Sequence, residues 1–306
     1  MHLAFQARKR TLSASSFDVF EIYSRFETLI QPKKRFITVS TDSPEVSARL
    51  EQQYRDEICL VGRWMYERGH IVACEGNLSI RLDANRILTT PTCMNKGMMS
   101  PQDLVIMDMD GRHLQGDRKI SSEAGMHLLF YRMRPDVQAV CHGHPATATG
   151  FAAAGLGLDQ ALLPEVVVAL GKIPLVRYAT PGTPDLGAVL EPYVPHYDAL
   201  LLANHGAVTC GPDLRTAFFR METLEHFAKI ALTAKLAGDP QLLSTREVAK
   251  LMAARARYHV TPPPGGGAEL PETCDGGENE TEEVTLTRSE LDALVDEAVR
   301  KDRARR

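Results

Sequence analysis

An apolar run that ends in two histidines and a proline constrains this chain more than any other stretch. Residues 139–145 read AVCHGHP, with His142 and His144 at the end of the run. Because alternate side chains of a β-strand share a face, the two imidazoles are expected to point the same way, close enough to share one ion. Pro145 suits the first turn of a following helix, since its missing N–H costs nothing there. The pattern predicts half of a metal site, although an isolated pair with this spacing is more often two ordinary polar residues at a strand end.

Composition narrows the class of protein. The 306 residues are 44% hydrophobic, which is enough for one large core that needs no disulfide to fold. The net charge of -4 gives no basic surplus of the kind that nucleic-acid binding requires. Six cysteines are scattered without a CxxC pair, and no apolar run approaches the length of a membrane span. We therefore expect a soluble protein of the cytoplasm with reduced thiols.

The chain is expected to have four regions. Residues 1–42 are weakly patterned and are interpreted as an N-terminal extension. Residues 43–260 carry helical and strand-like patterns and are predicted to form the folded domain. Residues 261–286 are rich in proline, glycine and acidic side chains and cannot bury enough apolar surface to fold, so they are predicted to be a disordered linker. Residues 287–306 begin with a capping-box Thr287 and carry an apolar stripe, which predicts an amphipathic C-terminal helix.

Helices and strands are predicted from hydrophobic periodicity and from turn residues. The helix candidates are residues 44–68, 121–133, 145–155, 184–193, 214–237 and 244–258. The strand candidates are residues 76–81, 86–90, 104–107, 137–141, 173–178, 199–203 and 207–210. The apolar run over residues 163–170 is not assigned to either a helix or a strand.

A third metal ligand is predicted at His205. This residue lies where the strand over residues 199–203 breaks, and a glycine follows it, so its side chain can project into a cleft. Three nitrogen ligands with one open position are the arrangement of a catalytic zinc site. The remaining histidines, among them His127 inside a helix, are expected to be surface residues or hydrogen-bonded core residues.

Glu123 is the acid or base candidate. It lies at the start of a helix, where the macrodipole favours a carboxylate, and that position alone would also explain it structurally. Ser121 and Ser122 precede it and offer two hydroxyls beside free backbone N–H groups, an arrangement that holds phosphate. Asn77 and Thr92 can supply further donors from loops. Each of these residues taken alone is more often part of a turn.

Six motifs follow one another along the chain: GNLSIR (76–81), LTTPT (88–92), KISSE (119–123), AVCHGHP (139–145), YATPGT (178–183) and LLANHG (201–206). In this order they resemble the class II aldolase/adducin family, and most closely its sugar-phosphate aldolases of the L-fuculose-1-phosphate type. The likeness covers about residues 46–260. It implies an α/β fold of three layers, α/β/α, with a central, mainly antiparallel sheet, and a cyclic homotetramer with active sites between subunits.

The resemblance also implies a metal centre. A divalent metal, normally Zn2+, would be bound by His142, His144 and His205. Glu123 matches the family's carboxylate that ligates the resting metal and swings away to move protons.

The resemblance implies further residues around that centre. The positions that match those holding the substrate phosphate are Asn77, Thr92, Ser121 and Ser122. Tyr258 matches a tyrosine that a subunit lends to its neighbour's active site, although it could equally be an ordinary aromatic residue at a helix end. Two departures leave the identity of the sugar open: Cys93 stands where the aldolases have a glycine, and Pro181 where fuculose-phosphate aldolases have an aromatic residue.

The implied activity is cleavage of a ketose 1-phosphate, of the fuculose or rhamnulose type, into dihydroxyacetone phosphate and a short aldehyde such as lactaldehyde. The alternatives on a related phosphorylated sugar are a dehydratase with Glu165 as second acid or base, an epimerase, or a decarboxylase. Glu123 argues against an epimerase, since epimerases of the family carry aspartate there. A non-enzymatic adducin-like module is the alternative outside enzymes. The three histidines argue against it, because adducin-type members have lost them.

The predicted linker and C-terminal helix indicate a protein partner. A linker that ends in a short amphipathic helix resembles the encapsulation peptides that target enzymes into bacterial microcompartments by docking on a shell or cargo protein. Sugar-phosphate aldolases that make lactaldehyde are known cargo of such compartments. The expected location is therefore the cytoplasm, or a microcompartment within it. Alternatively, residues 287–306 pack on their own domain or on a neighbouring subunit.

Overall fold

The computed structural model of the protein describes residues 44–258, 260–266 and 271–274. The predicted N-terminal extension and C-terminal helix, and most of the predicted linker, lie outside the described residues. The chain divides into two units after Ser47. Every feature below lies in the second unit, apart from the first four residues of the first helix.

A single eight-stranded sheet, in the order β4-β3-β2-β1-β5-β8-β7-β6, forms the centre of the described structure. All neighbouring strands pair antiparallel except β6 and β7, which are parallel. The predicted fold class, with its mainly antiparallel sheet, is confirmed. The strands are β1 (Asn77–Arg81), β2 (Arg86–Thr89), β3 (Val105–Asp108), β4 (His113–Gln115), β5 (Ala139–Gly143), β6 (Leu175–Val176), β7 (Ala199–Leu202) and β8 (Gly206–Gly211).

Helices cover both faces of this sheet. The α-helices of the described residues are α1 (Pro44–Glu67), α2 (Ala124–Met133), α3 (Ala146–Ala153), α4 (Pro164–Ala169), α5 (Pro184–Leu190), α6 (Leu214–Ala237) and α7 (Thr245–Ala254). Short 3-10 helices span Lys96–Met98, Pro101–Asp103 and Arg255–Tyr258. Within the described part of the chain, every helix is too short or too polar to span a lipid bilayer.

The alternation of strand side chains creates two separate cores. In β7, Leu201 packs in the cluster that contains residues of α1, α3 and α6, whereas Leu200 and Leu202 pack in the cluster that contains residues of α2 and α5. Successive strand residues point to opposite faces, so one sheet buries apolar side chains on both sides. The sheet is therefore the middle of three layers.

Three elements differ from the sequence-based expectation. The apolar run over residues 163–170 contains a helix, α4, because Pro164 occupies its first turn and favours helix initiation there. Strand β4 was not predicted, because all three of its side chains are exposed at the sheet edge and show no apolar alternation. The strand expected over residues 173–178 is reduced to the two residues of β6.

Part of the predicted linker, residues 261–286, forms backbone hydrogen bonds with the domain. Gly265 donates its N–H to the carbonyl of Pro195 over 3.0 Å, and Glu272 donates to Asp159 over 2.6 Å. The carbonyl of Glu272 in turn accepts from Ala161 over 2.7 Å. Segments 260–266 and 271–274 therefore lie along the domain surface, and the linker assignment stays a prediction for the residues outside them.

Candidate metal centre

Three histidines meet where β5 ends beside the hairpin of β7 and β8. His142 lies in β5, His144 follows that strand, and His205 lies in the hairpin turn. Gly143 pairs with Ala207, so the end of β5 lies beside the start of β8. The imidazole ring centres are 4.8 to 5.1 Å apart, and one nitrogen from each ring lies within 4.8 Å of the others. The structure brings together the three histidines that the sequence selects.

The hairpin turn depends on two backbone positions. Asn204 has a φ of 54°, in the left-handed region that asparagine adopts more readily than most residues. A Cβ atom on Gly206 would lie 2.5 Å from the Gly143 carbonyl oxygen and 2.5 Å from Cδ2 of His144. These distances are far below van der Waals contact, so a larger residue would push the turn away from β5. Glycine therefore lets His205 approach the other two histidines.

Hydrogen bonding determines which ring nitrogens face the cluster. His142 is fully buried, and its Nδ1 lies 2.8 Å from the carbonyl oxygen of Ala207. Because a carbonyl only accepts, Nδ1 carries a proton, and Nε2 is the nitrogen that faces the cluster. The Nε2 of His144 lies 3.2 Å from that of His142. Burial, and then the charges of His142 and His205, lower the pKa of His144 to about 3, so this ring is neutral, as a metal ligand must be.

The carboxylate of Glu123 adds an oxygen to the three nitrogens. Glu123 is the N-cap of α2, and its Oε1 lies 2.9 Å from Nε2 of His205. Its Oε2 lies 3.4 Å from Nε2 of His142 and accepts from Nδ2 of Asn77 over 2.9 Å. Burial would raise the pKa of Glu123, but the charges and contacts of the two histidines outweigh it and hold that pKa well below its ordinary value. Three imidazoles and one carboxylate form a donor set that suits Zn2+.

Two charged groups beside the cluster were not selected from the sequence. Lys96 is 2% exposed, and its Nζ donates to the carbonyl of Cys74 over 2.5 Å. Burial lowers the pKa of Lys96, while negative neighbours, Glu123 among them, act in the opposite direction. Oε2 of Glu75 lies 3.4 Å from Nδ1 of His144. No local sequence pattern identifies these residues, because they are distant from the histidines along the chain and meet them only in the folded structure.

The four predicted phosphate residues lie on neighbouring segments. Nδ2 of Asn77 donates to Oγ of Ser121 over 3.3 Å. The N–H of Thr92 donates to the carbonyl of Lys119 over 3.0 Å, which places the loop after β2 beside the segment that leads into α2. Ser122 is exposed at the start of that helix. Asn77 and Ser121 therefore contact Glu123 directly, while Thr92 lies on the neighbouring loop.

Two other predicted residues are not joined to this cluster. Tyr258 ends a 3-10 helix, and its side chain is 64% exposed. Glu165 is exposed in the first turn of α4. Among the described residues, no hydrogen bond or ion pair connects either side chain to the three histidines. The role of Tyr258 in a neighbouring subunit's site stays a prediction.

Residues 56–232 match the family model of the class II aldolase and adducin N-terminal domain. This range is more than half of the chain. The protein belongs to the class II aldolase and adducin family. The resemblance inferred from the six motifs is thereby confirmed.

Relatives of this class II aldolase family member are enzymes. A 3-oxo-tetronate 4-phosphate decarboxylase of Haemophilus influenzae is 39% identical over 178 residues, which cover 56% of this chain and 84% of that protein. An L-fuculose phosphate aldolase of Methanococcus maripaludis is 34% identical over 177 residues, which cover 57% of this chain and 93% of that protein. These relatives carry out two different lyase reactions.

A solved structure shows the same fold. The crystal structure of YgbL from Escherichia coli, described as a candidate aldolase, epimerase or decarboxylase, is 35% identical and superposes with a TM-score of 0.62. The match covers 66% of this chain and 99% of that protein. The described domain therefore has the fold of the class II aldolase and adducin N-terminal domain.

The approach of Gly206 to β5 gives a first prediction. The substitution Gly206→Ala is expected to weaken Zn2+ binding about 10-fold or more, because the added methyl group displaces His144 or the hairpin turn. Competition with a chromophoric chelator measures this affinity. Gly187→Ala is the matched control, since nothing lies within 4 Å of a Cβ at that helical position. Equal affinities of the wild type and Gly206→Ala would contradict the account.

Proposed function

We propose that this protein is a metal-dependent lyase that decarboxylates a 3-oxo-tetronate 4-phosphate. One observation carries the proposal: the Glu123 carboxylate lies 2.9 Å and 3.4 Å from the nitrogens of two clustered histidines. A carboxylate in contact with the nitrogens that would hold a metal is placed to move a proton next to the substrate carbonyl. The similarity to decarboxylases of this type supports the choice of substrate.

The residues fit a divalent cation, and Zn2+ suits them best. His142, His144 and His205 would hold the ion, with Glu123 as a further ligand before substrate binds. A bound cation would polarise the substrate carbonyl and stabilise the negative charge that develops on its oxygen. The hydrogen bond from Nδ1 of His142 to the Ala207 carbonyl keeps Nε2 aimed at this point.

Decarboxylation breaks one carbon–carbon bond and adds one proton. The bond between C1 and C2 breaks, CO2 leaves, and the electron pair passes to the oxygen on C3. C2 then takes up a proton, which gives dihydroxyacetone phosphate. Contacts with His142 and His205 hold the pKa of Glu123 low, so the carboxyl gains proton affinity once it moves away from them. Glu123 can then collect a proton from solvent and deliver it to C2.

Polar groups beside α2 would hold the phosphate. Oγ of Ser121 accepts from Nδ2 of Asn77 and from the N–H of Glu123, which leaves the hydroxyl proton of Ser121 to donate to a phosphate oxygen. The N-terminus of α2 adds a favourable dipole for an anion. Cys93 has a φ of 54°, so the loop adopts a backbone shape that glycine takes at no cost. The proposed phosphate residues are Asn77, Thr92, Ser121 and Ser122.

Cleavage of a ketose 1-phosphate is the second candidate function. It is supported by the similarity to L-fuculose phosphate aldolases. Both reactions give dihydroxyacetone phosphate and differ in the group that leaves, which is CO2 or an aldehyde. Aldol cleavage also requires a proton transfer at the aldehyde oxygen, for which the neighbouring subunit's copy of Tyr258 is the candidate. Release of CO2 requires no such proton.

Other predicted activities and partners have less support. A dehydratase that uses Glu165 would need this side chain at the centre, whereas it is exposed on α4. The homotetramer stays a prediction. The microcompartment partner also stays a prediction, because residues 287–306 lie outside the described residues.

Product analysis tests the proposed function. The protein is incubated with 3-oxo-tetronate 4-phosphate and, separately, with fuculose 1-phosphate. Dihydroxyacetone phosphate and CO2 are then quantified with and without a chelator. We expect both products in equal amounts from the 3-oxo acid, inhibition by the chelator, and an activity loss of about 100-fold or more in Glu123→Gln.

Glu165→Gln is the matched control and should keep its activity. Cleavage of fuculose 1-phosphate without any release of CO2 from the 3-oxo acid would favour the aldolase instead. An activity loss in Glu165→Gln equal to that in Glu123→Gln would favour the dehydratase.

Tyr258→Phe separates the two lyase reactions. The substitution removes only the phenol, and no proton needs to be moved at CO2. We therefore expect decarboxylation to change by less than about 3-fold, while any aldol cleavage falls by about 100-fold, in line with the loss of a general acid or base. Initial rates on the two substrates measure this ratio. An equal loss in both reactions would show that the phenol does not act on the aldehyde oxygen.

A further inference from the structure

A line of buried polar side chains leads away from Glu123 into the protein. Nδ2 of Asn77 donates to Oε2 of Glu123 over 2.9 Å, and Oδ1 of Asn77 makes a short contact with Nε2 of His127. Nδ1 of His127 lies 2.6 Å from Oγ of Ser79, which lies 2.7 Å from the hydroxyl of Tyr131. The four residues behind Glu123 are each at most 3% exposed.

The line follows the periodicities of two elements. Asn77 and Ser79 are two residues apart in β1, so both side chains point to the same face of the sheet. Glu123, His127 and Tyr131 follow one another at intervals of four along α2, so they lie on one side of that helix. The packing of α2 against β1 therefore aligns all five side chains.

Each hydrogen bond of the line can run in only one direction. An ionised carboxylate only accepts, so Asn77 must turn its NH2 group towards Glu123 and its carbonyl oxygen towards His127. Nε2 of His127 must then carry a proton. In a neutral ring Nδ1 must accept, which requires the hydroxyl of Ser79 as donor, and the hydroxyl of Tyr131 then donates to Ser79.

The ring of His127 is held in the neutral form. Burial, and then the positive charge of His142, lower the pKa of His127 to about 3, against the opposite effect of Glu123. A neutral imidazole carries one N–H, which is what the line requires at Nε2. Of the two expectations for His127, a surface residue or a hydrogen-bonded core residue, the structure shows the second.

We propose that His127 is a positioning residue of the metal centre. It acts through Asn77: by fixing the amide of Asn77, it keeps an N–H donor on Oε2 of Glu123 and so holds the carboxylate against His142 and His205. Without the ring, the amide can rotate and present its oxygen to the carboxylate, which would repel Glu123. The inference rests on the proposed metal centre, and it is independent of which sugar phosphate reacts.

Zn2+ affinity in the full-length protein, measured by chelator competition, tests this role. We expect His127→Phe to weaken Zn2+ binding about 10- to 100-fold, the usual effect of removing a residue that orients a metal ligand. His127→Gln keeps a side-chain N–H donor and should restore most of the affinity. Tyr131→Phe removes only the far end of the line and should change the affinity by less than about 3-fold.

The absorption of the Co2+-substituted protein gives a second readout. Loss of Glu123 from the metal changes the ligand set, so His127→Phe and Asn77→Ala should show the same altered visible spectrum. The double substitution should bind Zn2+ as Asn77→Ala does, because His127 acts through Asn77. Thermal unfolding of each apoprotein checks that the variants are folded.

Three results would overturn the proposal: unchanged affinity in folded His127→Phe, no recovery in His127→Gln, or fully additive effects in the double variant. Failure of the proposed function has a different signature. In that case, the wild type would bind Zn2+ and show the expected series of affinities but release no CO2 from the 3-oxo acid.

Discussion

The candidate site depends on the close approach of Gly206 to the end of β5. With no side chain on Gly206, the β7–β8 hairpin can touch the backbone of Gly143, and the turn brings His205 to the two histidines at the end of β5. The strands behind this contact are buried on both faces, which limits their freedom to move. Side chains at the ends of such strands are held in position, which is what a preorganised metal site would require.

Charge balance is the second constraint on this site. A buried carboxylate is costly unless opposite charge or hydrogen bonds compensate it. The Glu123 carboxylate accepts a hydrogen bond from the amide of Asn77, and it interacts electrostatically with the ammonium group of Lys96. The nearby imidazole of His144 is held neutral by burial and by its neighbours. A divalent cation among these nitrogens would supply the positive charge that neutral rings cannot.

Local sequence patterns were enough to select the three histidines and the carboxylate that the structure brings together. The spacing of His142 and His144 follows from strand periodicity, and the glycine after His205 marks the turn. Glu123 was found from its place at a helix start. In each case the decisive neighbours lie within a few positions along the chain, so pattern reasoning could reach them.

The surroundings of these four residues could not be predicted in the same way. Lys96 is held beside the centre by its bond to the carbonyl of Cys74, and His127 meets Asn77 through the packing of α2 against β1. No local pattern encodes such contacts. Asn77 was expected to bind phosphate, and the structure adds its bond to Glu123. Strand β4 was missed because an exposed edge strand has no apolar signature.

The metal content of the purified protein tests the central claim most directly. Plasma mass spectrometry on the wild type and on His205→Ala, after loading with Zn2+ and removal of free metal, gives the number of ions per chain. We expect about one ion per wild-type chain, as for a site of three histidines, and loss of most of the bound metal in a folded His205→Ala protein. A wild type that binds no metal, or a His205→Ala variant that retains a full equivalent, would contradict it.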